Sequence, residues 1–130
     1  MLSDSALEEL AAAAKDASTR AYCPYSRFPV GAAVRTADGR VFAGCNVENA
    51  SFGLTVCAER NAIFNAVGAG APQIAALVIY TPTDAPVTPC GACRQVLLEF
   101  GRDAEVFSVC AGSHQLQFGA SDLLPHGFTL

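Results

Sequence analysis

The chain reads as an α/β protein, a three-layer α/β/α sandwich around a mixed five-stranded sheet. Three observations predict this fold class. Residues 74–80 form a short unbroken apolar run, the pattern of a strand covered on both faces. Asp38-Gly39, between two strand-like stretches, is a two-residue hairpin signal. Two segments that each open on a cysteine and stop at glycine have helical length, and strand-like stretches alternate with them.

Taken in order, Ser5-Ala6-Leu7-Glu8 is a capping box opening a helix that runs to about Ser18. Leu7, Leu10, Ala11 and Ala14 fall on one face of it. Residues 22–29 hold two prolines and several aromatics, so they form a shaped loop. Residues 30–36 read as a strand, and the chain returns after the hairpin through residues 41–47. Residues 49–55 are irregular. A helix begins near Cys57 and ends at the glycines of residues 68–70. Three prolines in residues 81–89 stop the strand at 74–80 from continuing. A second helix runs from Cys90 to Gly101. Residues 105–110 and 115–118 are two more strands, and residues 111–114 are too few for a parallel crossover, so a hairpin is expected. Ser121 caps a last helical turn through Leu124. The expected order is α-β-β-α-β-α-β-β plus a short C-terminal helix, in one domain spanning residues 1–130.

Bulk properties exclude several functions. A chain of 130 residues with 52% apolar and 15% charged residues is globular, with no disordered tail. A net charge of −4 argues against gripping a phosphate backbone, so no nucleic-acid partner is expected. No stretch approaches the roughly 20 apolar residues that span a bilayer, and the start lacks a basic leader region. No membrane partner is expected, and the six cysteines then suit a reducing cytoplasm. Three of them, Cys23, Cys45 and Cys110, are expected to be free and mostly buried.

The other three carry the chemistry. Cys57-Ala58-Glu59 and Pro89-Cys90-Gly91-Ala92-Cys93 offer three thiol ligands and one carboxylate that is not a ligand. Three protein ligands leave the fourth tetrahedral position of a zinc ion open to water, whereas a structural site closes with four. Cys90 and Cys93 are three apart, so on a first helical turn both sulfurs point the same way. Cys57 opens the other helix, where the dipole favours thiolate over thiol. Arg60 is positioned to draw negative charge from the sulfurs. Glu59 is the expected proton shuttle, taking a proton from solvent at the open position and passing protons on to the group being hydrolysed. A thiol-redox pair at Cys90 and Cys93, or a four-ligand structural site, would leave the Cys-Ala-Glu element unexplained.

These motifs resemble those of the small homo-oligomeric cytidine deaminases. The resemblance runs through Tyr22-Cys23-Pro24-Tyr25-Ser26-Arg27-Phe28-Pro29-Val30-Gly31-Ala32-Ala33 and Gly44-Cys45-Asn46-Val47-Glu48-Asn49-Ala50. It continues through Cys57-Ala58-Glu59-Arg60, Pro89-Cys90-Gly91-Ala92-Cys93-Arg94-Gln95 and Leu123-Leu124-Pro125 with Phe128. It implies zinc-dependent hydrolysis of cytidine and 2′-deoxycytidine to uridine and 2′-deoxyuridine with release of ammonia, with one zinc per subunit. It also implies that Asn46 and Glu48 bind the ribose hydroxyls, that Phe28 packs on sugar and base, and that the Ala58 N–H reads the pyrimidine carbonyl. Ala50, Phe52 and Phe128 would complete a neighbouring subunit's site, in a homotetramer with shared active sites. Phe52 stands where relatives usually carry Tyr, and Asn61 where they carry Thr. The competing readings are an aminonucleoside-antibiotic deaminase on the same scaffold and a non-catalytic zinc-stabilised module.

Overall fold

In the computed structural model, which describes residues 1–130, the chain opens with helix α1 (Asp4–Ser18). Its cap is Ser3, whose hydroxyl accepts from the Ala6 N–H at 3.2 Å, so the expected capping box at Ser5 and Glu8 is not used. The earlier start places Asp4 in the first turn, where the helix dipole favours a carboxylate.

Strands β1 (Gly31–Thr36) and β2 (Val41–Cys45) form the expected hairpin, but its loop has three residues rather than two. The Thr36 N–H donates to the Arg40 carbonyl at 2.9 Å, leaving Ala37, Asp38 and Gly39 outside the ladder. Gly39 takes the left-handed conformation such a loop needs, at φ +89°. Asp38 fixes the turn by accepting from the Thr36 hydroxyl and, at 3.1 Å, from Arg40 Nε. The Thr36 hydroxyl, and then Arg40, hold its carboxyl down to about 2. β2 stops at Cys45, short of the expected Val47, which instead bridges to Val56 and Tyr22.

A single 3-10 turn (Phe52–Leu54) interrupts the irregular stretch before helix α2 (Ala58–Gly68). Strand β3 (Ile74–Thr81), helix α3 (Gly91–Phe100), strand β4 (Glu105–Cys110), strand β5 (Leu116–Gly119) and helix α4 (Ala120–Leu123) follow. Ser121 lies inside α4 and does not cap it; Gly119 precedes the turn. The sheet order is β2-β1-β3-β4-β5, with β3 and β4 parallel and every other pair antiparallel. The expected β4–β5 hairpin is present.

Helix α1 covers one face of the sheet, where Leu10 and Ala14 pack on Ala33, Ala76, Val78 and Phe107. The other face carries Ala62, Ile63 and Leu97 of α2 and α3 over Val34, Leu77, Ile79 and Val106. Contact with the sheet is very close at two glycines. A Cβ on Gly44 would sit 2.5 Å from the Ala62 nitrogen, and one on Gly31 would sit 1.8 Å from the Ala14 carbonyl oxygen. Gly44 thereby lets β2 and α2 meet backbone to backbone and sets how deeply α2 seats. Gly44→Ala is expected to cost about 1–3 kcal/mol through overpacking. A urea titration should show a lower midpoint with an unchanged slope.

All six cysteines are free, and Cys23, Cys45 and Cys110 are half-buried rather than buried. No helix is long and apolar enough to cross a membrane.

Candidate active site

β2 and β3 are each antiparallel to β1, so they run the same way and their C-terminal ends share one end of the sheet. The segments that follow them deliver α2 and α3 there, N-termini first. Cys57 is the N-cap of α2 and Cys90 the N-cap of α3, both extended, with ψ 156° and ψ 168°. Each sulfur therefore stands beside unpaired N–H groups and the positive end of a helix.

The Sγ atoms of Cys57 and Cys90 are 3.8 Å apart, and those of Cys90 and Cys93 are 3.5 Å apart. All three lie within 4.8 Å of one another, and no fourth His, Cys, Asp or Glu joins them. Four bonds of about 2.3 Å around tetrahedral zinc place sulfurs about 3.8 Å apart, so the cluster fits that ion with one corner open. Thiolate donors also select zinc over magnesium or calcium.

Electrostatics lead to the same conclusion. Cys57 is held down to about 5, chiefly by the neighbouring Cys93 thiol and then by Arg60, against the effect of burial. Cys93 is pushed upward by its place beside the Cys57 sulfur and by burial. Three sulfurs this close cannot all shed their protons without a cation between them. Arg60 Nη2 donates to Cys57 Sγ at 3.5 Å, and these sulfurs hold its guanidinium more firmly protonated. Its Nε is buried without a partner, a donor left over beside an anionic site.

Glu59 is 5% exposed. Burial raises its pKa to about 7, so near neutral pH it can both take and return a proton. It lines a cavity of about 470 Å³ together with Cys57, Ala58, Cys90, Phe28, Asn46 and Glu48. Ser26, Val30, Thr55, Ile79, Val87 and Thr88 complete the wall, and none was singled out as a site residue from the sequence. Ser26 and Val30 fall within the motif around Phe28 without a role of their own, whereas Val87 and Thr88 lie in a proline-rich loop with no chemical signature.

Asn46 and Glu48 come to this cavity already engaged. Asn46 Oδ1 accepts from the Val30 N–H and Nδ2 donates to the Phe28 carbonyl, each at 2.9 Å, leaving one amide hydrogen free. Glu48 accepts from the Tyr25 and Ser26 N–H groups at 3.0 and 3.1 Å and from the Ser26 hydroxyl. That hydroxyl first, and then the two N–H groups, hold its carboxyl below the usual range. Both residues therefore also hold the loop that presents Phe28.

Phe52 lies outside the cavity, edge-on to Tyr25 at 5.8 Å, in an adjoining recess of about 420 Å³ that shares Ser26, Glu48 and Thr55. Ala50 and Phe128 do not line the cavity of their own chain, and Phe128 is 69% exposed. Asn61 faces β2, where its amide donates to the Cys45 carbonyl at 2.8 Å, and Asn65 does the same for Ala43 at 2.9 Å. The two amides satisfy carbonyls of the edge strand just before Asn46.

The sequence profile described as cytidine and deoxycytidylate deaminase zinc-binding region matches residues 4–110. A cytidine deaminase of Sporosarcina psychrophila is 51% identical over 94 residues, covering 72% of this chain and 69% of that protein. One from Halalkalibacterium halodurans is 47% identical, covering 84% of this chain and 83% of that protein. The crystal structure of cytidine deaminase from Burkholderia pseudomallei superposes with a TM-score of 0.89 at 49% identity, covering 93% of this chain and 98% of that one. With the three-sulfur cluster, the buried Glu59 and these relatives in agreement, the chain belongs to the zinc-dependent cytidine deaminase family.

Proposed function

We propose that this protein hydrolyses cytidine and 2′-deoxycytidine to uridine and 2′-deoxyuridine, releasing ammonia. One observation carries it. A buried carboxyl, Glu59, lines the same cavity as two sulfurs of the three-cysteine cluster, together with an amide and a carboxylate fit for sugar hydroxyls.

Cys57, Cys90 and Cys93 would hold the zinc, which would supply Lewis acidity to make a water molecule nucleophilic near neutral pH. As the water oxygen bonds to C4, Glu59 takes one of its protons and delivers it to pyrimidine N3. It then takes the remaining hydroxyl proton and passes it to the exocyclic amine, which leaves as ammonia when the C4–N bond breaks. Water and the cytosine ring enter, and the uracil ring and ammonia depart, so the proton count closes without a further reactant. Burial keeps the Glu59 pKa within reach of both roles. At the first position of α2, the Ala58 N–H has no intrahelical acceptor and can donate to the pyrimidine carbonyl. Asn46 and Glu48 bind the ribose, and Phe28 packs beside it. The whole chain acts as one catalytic domain, and the free cysteines suit a reducing cytoplasm.

Loss of cytidine ultraviolet absorbance, followed together with zinc content in one preparation, tests this assignment. Equimolar zinc with no turnover of cytidine would overturn it.

The active form is a homotetramer in which Ala50, Phe52 and Phe128 reach a neighbour's site. Supporting this, Phe52, Leu54 and Phe128 are exposed at 74%, 66% and 69%, an apolar load that a subunit contact would cover. Mixing Phe128→Ala and Glu59→Ala subunits is expected to restore part of the activity, since each hybrid can assemble one site with both groups intact. No rescue in hybrids shown to have exchanged subunits would refute the shared site.

A further inference from the structure

Helix α3 carries two of the three sulfurs, and the two residues after Cys93 both spend their side chains on backbone carbonyls. Arg94 Nε donates to the Pro89 carbonyl at 2.7 Å, Nη1 to the Leu123 carbonyl at 2.9 Å, and Nη2 to Thr88 Oγ1 at 3.3 Å. Gln95 Nε2 donates to the Phe128 carbonyl at 3.2 Å. Between these two anchors the tail lies directly against α3. A Cβ on Gly127 would sit 2.4 Å from Leu98 Cδ2, so a larger residue here would have to push the Leu98 side chain aside. The Gly127 N–H closes a turn onto the Leu124 carbonyl at 3.0 Å, with His126 left-handed at φ +59°. The tail is thus pinned at Leu123, Gly127 and Phe128, while the Phe128 ring stays exposed.

The other end of the Arg94 fork sets a metal ligand. Pro89 precedes the N-cap Cys90, so its carbonyl lies outside the helix and depends on Arg94 for a partner. The backbone path through Thr88 and Pro89 decides where the Cys90 sulfur stands. A planar guanidinium donates in fixed directions from several nitrogens at once, and a lysine ammonium cannot span both carbonyls in the same way.

We propose that Arg94 is a positioning residue that ties the C-terminal tail to the Cys90 ligand loop, coupling zinc retention to docking of the segment that carries Phe128. The proposal rests on the zinc site described above. Coupling of this kind is reciprocal: a loosened tail weakens the hold on the metal, and loss of the metal loosens the tail. Each subunit would then present Phe128 firmly only when its own ligand loop is ordered.

The test uses the zinc-loaded full chain and two readouts other than turnover. Arg94→Lys is expected to release zinc to a chromogenic chelator about 10- to 100-fold faster than the unaltered protein, the usual effect of losing a group that orients a ligand. In zinc-loaded Arg94→Lys, amide exchange over residues 124–128 should be faster while that of β3 stays slow. In the unaltered protein, removing zinc should speed exchange over those same tail residues. Should Arg94→Lys fail to fold, this last comparison alone decides. Zinc release within twofold of the unaltered rate, or tail exchange indifferent to zinc, overturns the coupling. Absence of zinc from freshly purified unaltered protein would instead sink the metal site itself, so the two failures are distinguishable.

Discussion

Glu59→Ala is expected to keep zinc and fold while losing about 10⁴-fold in turnover, equivalent to about 5.4 kcal/mol in activation free energy. The effect is large because the proposed mechanism uses one carboxyl as base and then as acid, and no other carboxylate has its place. Glu48 is the other carboxylate in the cavity, and its oxygens are engaged by Tyr25 and Ser26. Glu59→Gln keeps the shape and loses the proton, so it should be nearly as inactive. Stability should move the other way. The folded pKa of about 7 lies above the ordinary carboxyl value of 4.5. As pH rises from 4.5 toward 7, the unfolded chain gives up this proton while the native chain retains it, and native stability falls. In metal-free protein, Glu59→Gln removes that slope and should be the more stable form above pH 7. Turnover within a few-fold of the unaltered enzyme would end the shuttle assignment.

Cys90→Ala is expected to lose both zinc and activity, with a lower thermal midpoint. Cys90 is exposed, so deleting its sulfur removes little packing, and any destabilisation reports the metal. Binding at 100 to 1,000 times the dissociation constant stabilises by roughly 3–4 kcal/mol. For a domain of this size that corresponds to a drop of roughly 10 °C. The same shift should appear when the unaltered protein is stripped by a strong chelator, and added zinc should reverse it. An unchanged midpoint in zinc-free Cys90→Ala would show that the metal contributes nothing to the fold.

The site was legible in the sequence where the chemistry is local. Cys90 and Cys93 share a helical face whatever surrounds them, and a cysteine opening a helix sits in the dipole field wherever the helix lies. Caps and turns were less legible because close alternatives compete. Ser3 and Ser5 both qualify as caps, and the structure takes Ser3, which brings Asp4 into the first turn. Asp38-Gly39 announces a hairpin, but the Thr36–Asp38–Arg40 network makes its loop three residues long. Nothing in the sequence signals that Val87 and Thr88 line the cavity. Nor does it show that Asn46 and Glu48 hold the Phe28 loop as well as lining the cavity.

By itself the sequence determined which groups are able to do the proposed chemistry, since metal affinity and proton transfer depend on residue type and short spacing. The tertiary structure alone decided that residues 33 positions apart, Cys57 and Cys90, place their sulfurs 3.8 Å from each other. It also decided that Glu59 is dry enough to hold its proton near neutral pH. The physical reason is that both depend on distance and solvent exclusion. These are set by the parallel course of β2 and β3 and by the packing of two helices on one face of the sheet.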